Sequence, residues 1–394
     1  MERRTYLSTV GLTVAGSLAG CAESDPGDDG SDGDEETAFE IETVTEAVED
    51  PWGFAFLPET PRLLVTERGS GRLLCVDRES GETETVDGTP TVDASGQGGL
   101  LDVALHPDFA VEPWVYLTYS ASNGAGETTA HLGRGRFDEG SMDVSTFEEL
   151  HAADPFVGSD GHYGSRVVFG DDGAVYVTVG DRQFKDFGPE HVSQDTTNEL
   201  GTTLRLEPDG SIPEDNPFVG DPDVVGSIFS YGHCNAQGMT VHPESGELWQ
   251  SEHGEQDGDE INVVEAGANY GWPVTHYGCT YGGGEPVGEQ PHERDDVVDP
   301  VYYWECNSGG FPPSGATFYD GDAFPTWRGD LFVGNLAGQY LGRFSVDGRD
   351  VEELEPLLEG YGWRIRAIEE EPETGHLYVA VDGGSGPLVR LVPK

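Results

Sequence analysis

Basic residues are scarce in this 394-residue sequence. Its 20 lysines and arginines stand against 75 aspartates and glutamates, which gives a formal net charge of −55. Such a charge repels nucleic-acid phosphates and anionic lipid headgroups, so we expect neither as a partner. A carboxylate-rich surface also suits a protein that stays soluble in concentrated salt, where repulsion between like charges is screened. We interpret the surface as halophilic.

A long apolar run is also missing. The apolar stretch at residues 5–20 is short and rich in Gly, Ser and Thr, unlike a membrane-spanning helix. Two arginines precede it and a Leu-Ala-Gly-Cys sequence ends it at Cys21, which resembles a twin-arginine export signal with a lipoprotein cleavage box. We therefore predict a signal over residues 1–21, a disordered acidic tether over 22–38, and an exported protein. It would be held at the outer face of the cell membrane only by a lipid on Cys21, or be extracellular.

The five cysteines have no zinc-finger spacing. An exported domain can form a disulfide, and Cys279 with Cys306 is the first pair to test. The sequence alone does not determine the connectivity.

Amphipathic helical periodicity is weak beyond residue 39, where short alternating apolar runs end in Gly, Asp, Asn and Pro turns. Six similar units recur, each with two apolar strands around a turn, and they begin at Gly53, Leu100, Ser165, Gly238, Ser314 and Ile365. This recurrence predicts an all-β domain over residues 39–394, a six-bladed β-propeller. A pair of β-sandwiches is the alternative, and it explains the recurrence less well.

Residues 252–260 crowd five carboxylates and two glycines into one segment. Hard oxygen ligands on a bending backbone are what calcium requires. In so acidic a chain, however, such a loop is also typical of a solvated surface. The residues alone leave both interpretations open.

Four further residues are candidates for chemistry. His162 lies in SDGHYGSRVVF, on a Gly-rich approach to a strand, where its ordinary pKa suits a general base or it serves only as a turn residue. Gln97 lies among glycines that permit close backbone approach. Arg364 and Arg366, in GWRIRAI, share one face of a strand, which favours an anionic ligand or ion pairs with nearby carboxylates. Of four other histidines, His106 and His242 lie in turns between strands and are interpreted as structural, whereas the roles of His233 and His253 stay open.

Seven segments in order resemble the soluble quinoprotein sugar dehydrogenases, the glucose/sorbosone dehydrogenase family, and above all its aldose sugar dehydrogenases. They are GQGGLLDVALHPDF, HYGSRVVF, YGHCNAQGMTVHPESGELWQSEHG, GDEINVVEAGANYGWP, PPSGATFY, WRGDLFVGNLAG and WRIRAI. The resemblance covers nearly everything from residue 43 to residue 391.

The resemblance implies a six-bladed propeller that holds pyrroloquinoline quinone (PQQ) over the central channel, with calcium beneath it. It implies that His162 removes the proton of the anomeric hydroxyl of an aldose while hydride passes to the quinone, which calcium polarises. The product would be a lactone, and the electrons would pass to an external acceptor. The implied cofactor contacts are Gln97, Asn235, Tyr281, Pro313, Ser314, Arg364 and Arg366, with Cys234 at a further contact position. The implied calcium ligands are the carbonyls of Gly254 and Glu255 and, at a second site, Glu260 and the Tyr270 carbonyl.

Three departures from the family pattern concern activity more than fold. Cys234 replaces an arginine expected to stabilise negative charge on the quinone, and a thiol is a much weaker donor. Residues 336–338 lack a lysine of the glucose dehydrogenase branch, as in the aldose branch. Gly161 replaces an aspartate before His162, so that Asp160 or no residue would orient the base.

Two other functions are compatible with the sequence. One is a calcium-dependent propeller lactonase or esterase, which would act without PQQ. The other is a sugar- or protein-binding propeller without catalysis, in which Cys234 marks the lost chemistry.

Overall fold

The structure, a computed structural model, describes residues 38–384 and 386–394. Within them, 24 strands form six four-stranded antiparallel sheets, and the remainder is turns, loops and three single-turn 3-10 helices. The predicted signal and the predicted tether as far as residue 37 lie outside the described residues. No helix in the described ranges is both long and apolar enough to cross a membrane.

The first described strand, β1 (Phe39–Thr45), belongs to the last sheet, and the sheets are numbered as blades 1 to 6 along the chain. Blade 1 contains β2 (Pro51–Phe56), β3 (Arg62–Glu67), β4 (Arg72–Asp77) and β5 (Thr83–Val86). Blade 2 contains β6 (Leu100–Leu105), β7 (Trp114–Ser122), β8 (Thr128–Asp138) and β9 (Asp143–Ala152). Blade 3 contains β10 (Val167–Phe169), β11 (Val175–Val179), β12 (Thr202–Leu206) and β13 (Ile228–Tyr231).

The other three blades repeat this order. Blade 4 contains β14 (Asn235–Val241), β15 (Leu248–His253), β16 (Glu260–Val264) and β17 (Tyr302–Tyr303). Blade 5 contains β18 (Pro313–Phe318), β19 (Leu331–Asn335), β20 (Tyr340–Asp347) and β21 (Asp350–Glu353). Blade 6 contains β22 (Arg364–Glu370), β23 (Leu377–Asp382) and β24 (Leu388–Pro393), with β1 outermost.

The first strands of the six blades form a closed ring. Strand β2 contacts β6, and the contacts continue in order through β10, β14, β18 and β22, which contacts β2. Strand β1 pairs with β24, with Phe39 opposite Pro393, so that both ends of the described chain complete blade 6. The predicted six-bladed propeller is confirmed, since a pair of sandwiches would not close into such a ring.

The repeats found in the sequence correspond to the blades, because each begins within or just before a first strand. Each blade buries apolar side chains on both faces. In β3, Leu63 belongs to an apolar cluster that includes Tyr378 of blade 6, whereas Leu64 belongs to one that includes Leu117 of blade 2. Full burial of one such leucine stabilises the fold by about 1.5–3 kcal/mol.

The antiparallel register gathers functional side chains at one end of the channel. A first strand begins where the second strand of its blade ends. Asn235 therefore lies opposite His253 in blade 4, and Arg364 lies opposite Asp382 in blade 6. Residues distant in sequence thus meet around a single opening.

Candidate active site

A cavity of about 280 Å³ opens at this end of the channel. Its lining is mostly polar and comes from strand ends and loops of blades 1 to 6. Five of the predicted site residues line it: Gln97, His162, Asn235, Arg364 and Arg366. A group with several hydrogen-bonding and anionic atoms would find partners around most of this lining.

His162 is held at the cavity by two hydrogen bonds. Its backbone N–H donates to Gln97 Oε1 at 2.8 Å, and its Nδ1 lies 2.7 Å from Asp181 Oδ1. Its φ of +47° is a left-handed conformation that residues other than glycine rarely adopt. Because Nδ1 faces Asp181, Nε2 is the ring nitrogen left for a ligand in the cavity.

Asp181 orients His162, which corrects the sequence-based choice of Asp160 or no residue. Asp181 is buried just after β11, and Trp272 Nε1–H donates to its Oδ2 at 2.9 Å. The carbonyl of Asp160 instead accepts the Gln97 N–H at 2.8 Å. The predicted partner, Asp160, is close to His162 in the sequence, whereas the carboxylate that orients the histidine comes from the end of the neighbouring strand β11. A carboxylate directly after an apolar strand, in VTVGDRQF, was the signal available.

Asn235 is fixed next to the histidine loop. It begins β14 and is buried, and its Oδ1 accepts the N–H of Gly164 at 3.0 Å. This bond joins blade 4 to the loop that carries His162. Its amide therefore has a set orientation at the cavity.

Cys234 lies beside the base and is not part of the cavity lining. Its Sγ is 3.9 Å from His162 Nδ1, and its side chain packs with Trp272 and Val287. Burial raises the pKa of this thiol well above its ordinary value. The side chain at this position is therefore neutral and supplies no positive charge.

Arg364 and Arg366 form the opposite wall with Asp382. Arg366 donates through Nη2 to Asp382 Oδ2 at 2.8 Å and through Nη1 to Gln237 Oε1 at 2.9 Å. Arg364 Nε lies 3.6 Å from the same Asp382 oxygen. Burial works against the charge of Asp382, but the two arginines hold its pKa below the ordinary value. Two guanidinium groups against one carboxylate leave this wall positive.

A second histidine, His253, also lines the cavity but is electrically different. Burial, reinforced by the nearby charges of His162 and Arg366, lowers the pKa of His253 to about 3. Its Nε2 lies 3.2 Å from Gln237 Oε1. It is therefore a neutral hydrogen-bonding group, and His162 is the better placed base.

The acidic segment carries a buried pair of carboxylates. Glu252 and Glu260 lie opposite each other on β15 and β16, and Asn262 Nδ2 donates to Glu252 Oε1 at 2.9 Å. Burial, and then the charge of Glu252, raise the pKa of Glu260. In the described part of the chain no lysine or arginine forms an ion pair with Glu260. A divalent cation would replace the proton that burial favours on Glu260, so the donor set fits calcium.

The other predicted calcium ligands lie in the same region. The Gly254 N–H donates to Asp259 Oδ1 at 3.0 Å, and the Glu255 carboxylate pairs with Lys185. Tyr270 is buried, and its N–H donates to the Tyr231 carbonyl at 2.9 Å.

A disulfide joins Cys279 to Cys306, the pair singled out from the sequence. Cys279 also exchanges backbone hydrogen bonds with Gln256, of 2.9 and 3.1 Å. The bridge therefore braces the loop that contains Gly254 and Glu255.

Besides Cys234, three predicted cofactor contacts lie outside the cavity lining. Tyr281 is 70% exposed on a loop. Ser314 is fully buried, and its hydroxyl donates to the Ile365 carbonyl at 2.6 Å, which links β18 to β22. Pro313 is buried at the start of β18, and its neighbour Pro312 lines the cavity instead.

Sequence reasoning missed further lining residues. Trp52 and Arg68 come from the start of β2 and the turn after β3. The Trp52 ring stacks on the buried Arg166 guanidinium, with 4.3 Å from the ring centroid to Cζ. In blade 1 the register places Pro51 opposite Glu67, so each of these two lining residues directly follows one member of that pair.

A ring of six blades with a base, an orienting carboxylate and a cationic wall around one cavity defines a β-propeller enzyme. The sequence profile of the Glucose / Sorbosone dehydrogenase family matches residues 48–390. The chain belongs to this family.

Known proteins agree with this assignment. The aldose sugar dehydrogenase YliI of Escherichia coli (strain K12) is 36% identical over 358 residues, which cover 90% of this chain and 93% of that protein. The apo crystal structure of the soluble aldose sugar dehydrogenase of Escherichia coli is 36% identical and has a TM-score of 0.83, with 91% of this chain and 100% of that chain covered. The PQQ-bound aldose sugar dehydrogenase of Streptomyces coelicolor is 26% identical and has a TM-score of 0.72, with 91% and 99% covered.

Proposed function

We propose that the protein is a PQQ- and calcium-dependent dehydrogenase that oxidises the anomeric carbon of aldose sugars to lactones and passes electrons to an external acceptor. The observation that carries this proposal is the His162–Asp181 pair facing Arg364 and Arg366 across one cavity. Such a site offers a base for a sugar hydroxyl and a cationic wall for an anionic cofactor. The PQQ-bound relative from Streptomyces coelicolor supports the choice of cofactor.

The residues present fit a flat cofactor with carboxylates. Arg366 Nε is buried without a hydrogen-bond partner among the described residues, and such a donor is costly unless a ligand satisfies it. Arg364 is 43% exposed at the same wall and remains accessible. The two arginines would therefore hold PQQ carboxylates, and Asn235 and Gln97 would border the ring system.

His162 would act as the general base. When bound, PQQ would supply the hydride acceptor and calcium a Lewis acid. His162 Nε2 would take the proton of the anomeric hydroxyl, and Asp181 would stabilise the imidazolium that forms because it accepts the Nδ1 hydrogen. The hydrogen bond from the His162 N–H to Gln97 would keep the ring at the cavity.

Calcium would be held by the acidic segment. The Gly254 and Glu255 carbonyls would bind the ion nearest the cofactor, and Glu260 with the Tyr270 carbonyl would bind a structural ion. The buried carboxyl group of Glu260 supports the second site, because burial and the charge of Glu252 raise its pKa and a cation would replace the proton that it holds. Glu252, which faces Glu260, would add a second carboxylate near the same ion.

The test is dye reduction by the purified protein in high salt with calcium, with and without PQQ, across a panel of aldoses. We expect reduction that requires both PQQ and a sugar. PQQ binding without reduction by any sugar would refute the dehydrogenase, and it would favour a binding propeller in which Cys234 has removed the chemistry. Lactone hydrolysis without PQQ would indicate a hydrolase.

We further propose that the protein is exported and anchored through a lipid on Cys21. Mass spectrometry of protein from the host membrane would detect the lipid on an N-terminal cysteine. Cys21→Ala should release the protein from the membrane fraction, and membrane retention of that variant would contradict the anchor.

A further inference from the structure

We propose that His162, Asp181 and Cys234 form a binding site for a thiophilic divalent cation of the Zn²⁺ type, and that its occupation blocks the base. One ligand atom from each residue lies within 4.8 Å of the other two. The Nδ1 of His162 is 2.7 Å from Asp181 Oδ1 and 3.9 Å from Cys234 Sγ. In the described part of the chain, no other group of three such side chains comes as close together.

The ligand set suits zinc. Zn²⁺ binds thiolate, imidazole and carboxylate at about 2.0–2.3 Å, so three atoms at these separations can share one ion after small movements. Three protein ligands would leave a fourth position for water. This ligand set has no zinc-finger spacing in the sequence, because the fold assembles it from residues up to 72 positions apart.

The three residues are also held in place. Trp272 fixes one oxygen of Asp181 through its indole N–H at 2.9 Å. The other oxygen faces His162 and also accepts the Gln183 N–H at 2.8 Å. Cys234 is buried with the same tryptophan. Of the three residues only His162 lines the cavity, so an ion would enter past its ring. The site is thus buried and preorganised, with its entrance at His162.

Sulfur distinguishes this site from the acidic segment. Calcium prefers oxygen ligands, and the Glu252–Glu260 region supplies them. Thiolate and imidazole ligands select softer cations such as Zn²⁺ and Cd²⁺. Saturating calcium therefore should not fill the Cys234 site.

Occupation would disable the base through its tautomer. An ion on Nδ1 replaces the hydrogen bond to Asp181, and the neutral imidazole then carries its proton on Nε2. The thiol proton of Cys234 is released to solvent as the thiolate binds. The Nε2 lone pair would no longer be available for a sugar hydroxyl, a consequence that rests on the proposed function.

Binding is tested first, without activity. The full chain carrying Cys21→Ser and lacking PQQ is titrated with Cd²⁺ in saturating Ca²⁺ and a non-thiol reductant, and the thiolate-to-metal charge-transfer absorption is recorded. We expect one equivalent of Cd²⁺ to bind, with the absorption lost in Cys234→Ser and retained in Cys75→Ala, which removes the other free cysteine of the described residues. His162→Ala should weaken binding at least about tenfold. No absorption in the unmodified protein, or undiminished absorption in Cys234→Ser or Cys234→Ala, would overturn the site.

Inhibition is tested separately on the PQQ-loaded protein. Zn²⁺ should inhibit sugar oxidation at concentrations at least about tenfold lower than those that inhibit Cys234→Ser. Cys75→Ala should match the unmodified chain. Equal sensitivity of the unmodified protein and Cys234→Ser to Zn²⁺ would overturn the inhibitory role. If no sugar is oxidised at all, the proposed function fails, and the Cd²⁺ titration still decides the site.

Discussion

The two walls of the cavity are built differently. The histidine wall joins loops of blades 3 and 4, and its carboxylate, Asp181, is only 1% exposed. The arginine wall comes from one strand pair of blade 6, where the Arg364 side chain is 43% exposed. The histidine wall holds a proton acceptor in a network of hydrogen bonds, and the arginine wall presents positive charge to a ligand. We infer that chemistry is concentrated on the first wall and cofactor binding on the second.

Removing the base should break this division most severely. His162→Ala should lower kcat by about 10²- to 10⁴-fold, the usual contribution of a general base. PQQ affinity should change by less than about threefold, because the arginine wall is intact. Steady-state dye reduction and PQQ titration measure the two quantities. The control is His242→Ala, which changes a histidine in a turn of blade 4. A loss of PQQ affinity in His162→Ala as large as its loss of kcat would contradict the division.

Asp181→Asn should have the next largest effect. The amide can still accept the hydrogen bond from Trp272, but it cannot balance the charge of the imidazolium that forms. We expect kcat to fall within the range of about 10²- to 10⁴-fold that the base itself contributes, with KM little changed, since Asp181 does not line the cavity. Asp160→Asn is the matched control and should leave kcat nearly unchanged. A rise in KM without a fall in kcat would show that Asp181 supports binding instead.

On the arginine wall, Arg366→Gln should weaken PQQ binding by about 10- to 100-fold, since a hydrogen bond to a charged group contributes about 1.5–3 kcal/mol. Arg364→Gln should have a smaller effect because its side chain is more exposed to water. At saturating PQQ, both variants should retain most of kcat. Fluorescence titration with PQQ and dye reduction at saturation separate these outcomes. A large loss of kcat at saturation would place chemistry on this wall as well.

The arginine wall was predictable from the sequence, whereas most of the histidine wall was not. Alternation along one strand put Arg364 and Arg366 on one face, and both line the cavity. The sequence marks Asp181 as a carboxylate after an apolar strand, but its pairing with His162 depends on where one loop ends relative to the next strand, and the local pattern does not encode that pairing. The same holds for Cys234, whose contact with His162 spans 72 residues.

The fold itself was predicted because each blade repeats one local pattern. Six recurring apolar units gave the number of blades and their first strands. The closing pair of β1 and β24 joins the two ends of the described chain, and periodicity within a unit carries no information about it. Ser314 shows the same limit, because its position beside a cavity residue does not reveal that its hydroxyl bonds to Ile365.

The smallest expected effect tests whether charge below the arginine wall matters to the cavity. Glu369, on β22, has its pKa raised to about 8 by burial, against the opposing charge of Arg166. A folded-state pKa above the unfolded value near 4.5 means that stability is complete at low pH and falls as pH rises toward 8. Glu369→Gln should therefore match the unmodified protein near pH 4.5 and exceed it by about 1–2 kcal/mol at pH 9, allowing for partial exposure.

Urea unfolding at several pH values measures the difference, and PQQ titration should show the same affinity in both proteins. Equal pH dependence of the two unfolding free energies would show that Glu369 is ionised in the folded protein. A change in PQQ affinity would show that the charge of Glu369 acts on the cofactor site. The arginine wall would then extend down the channel to this residue.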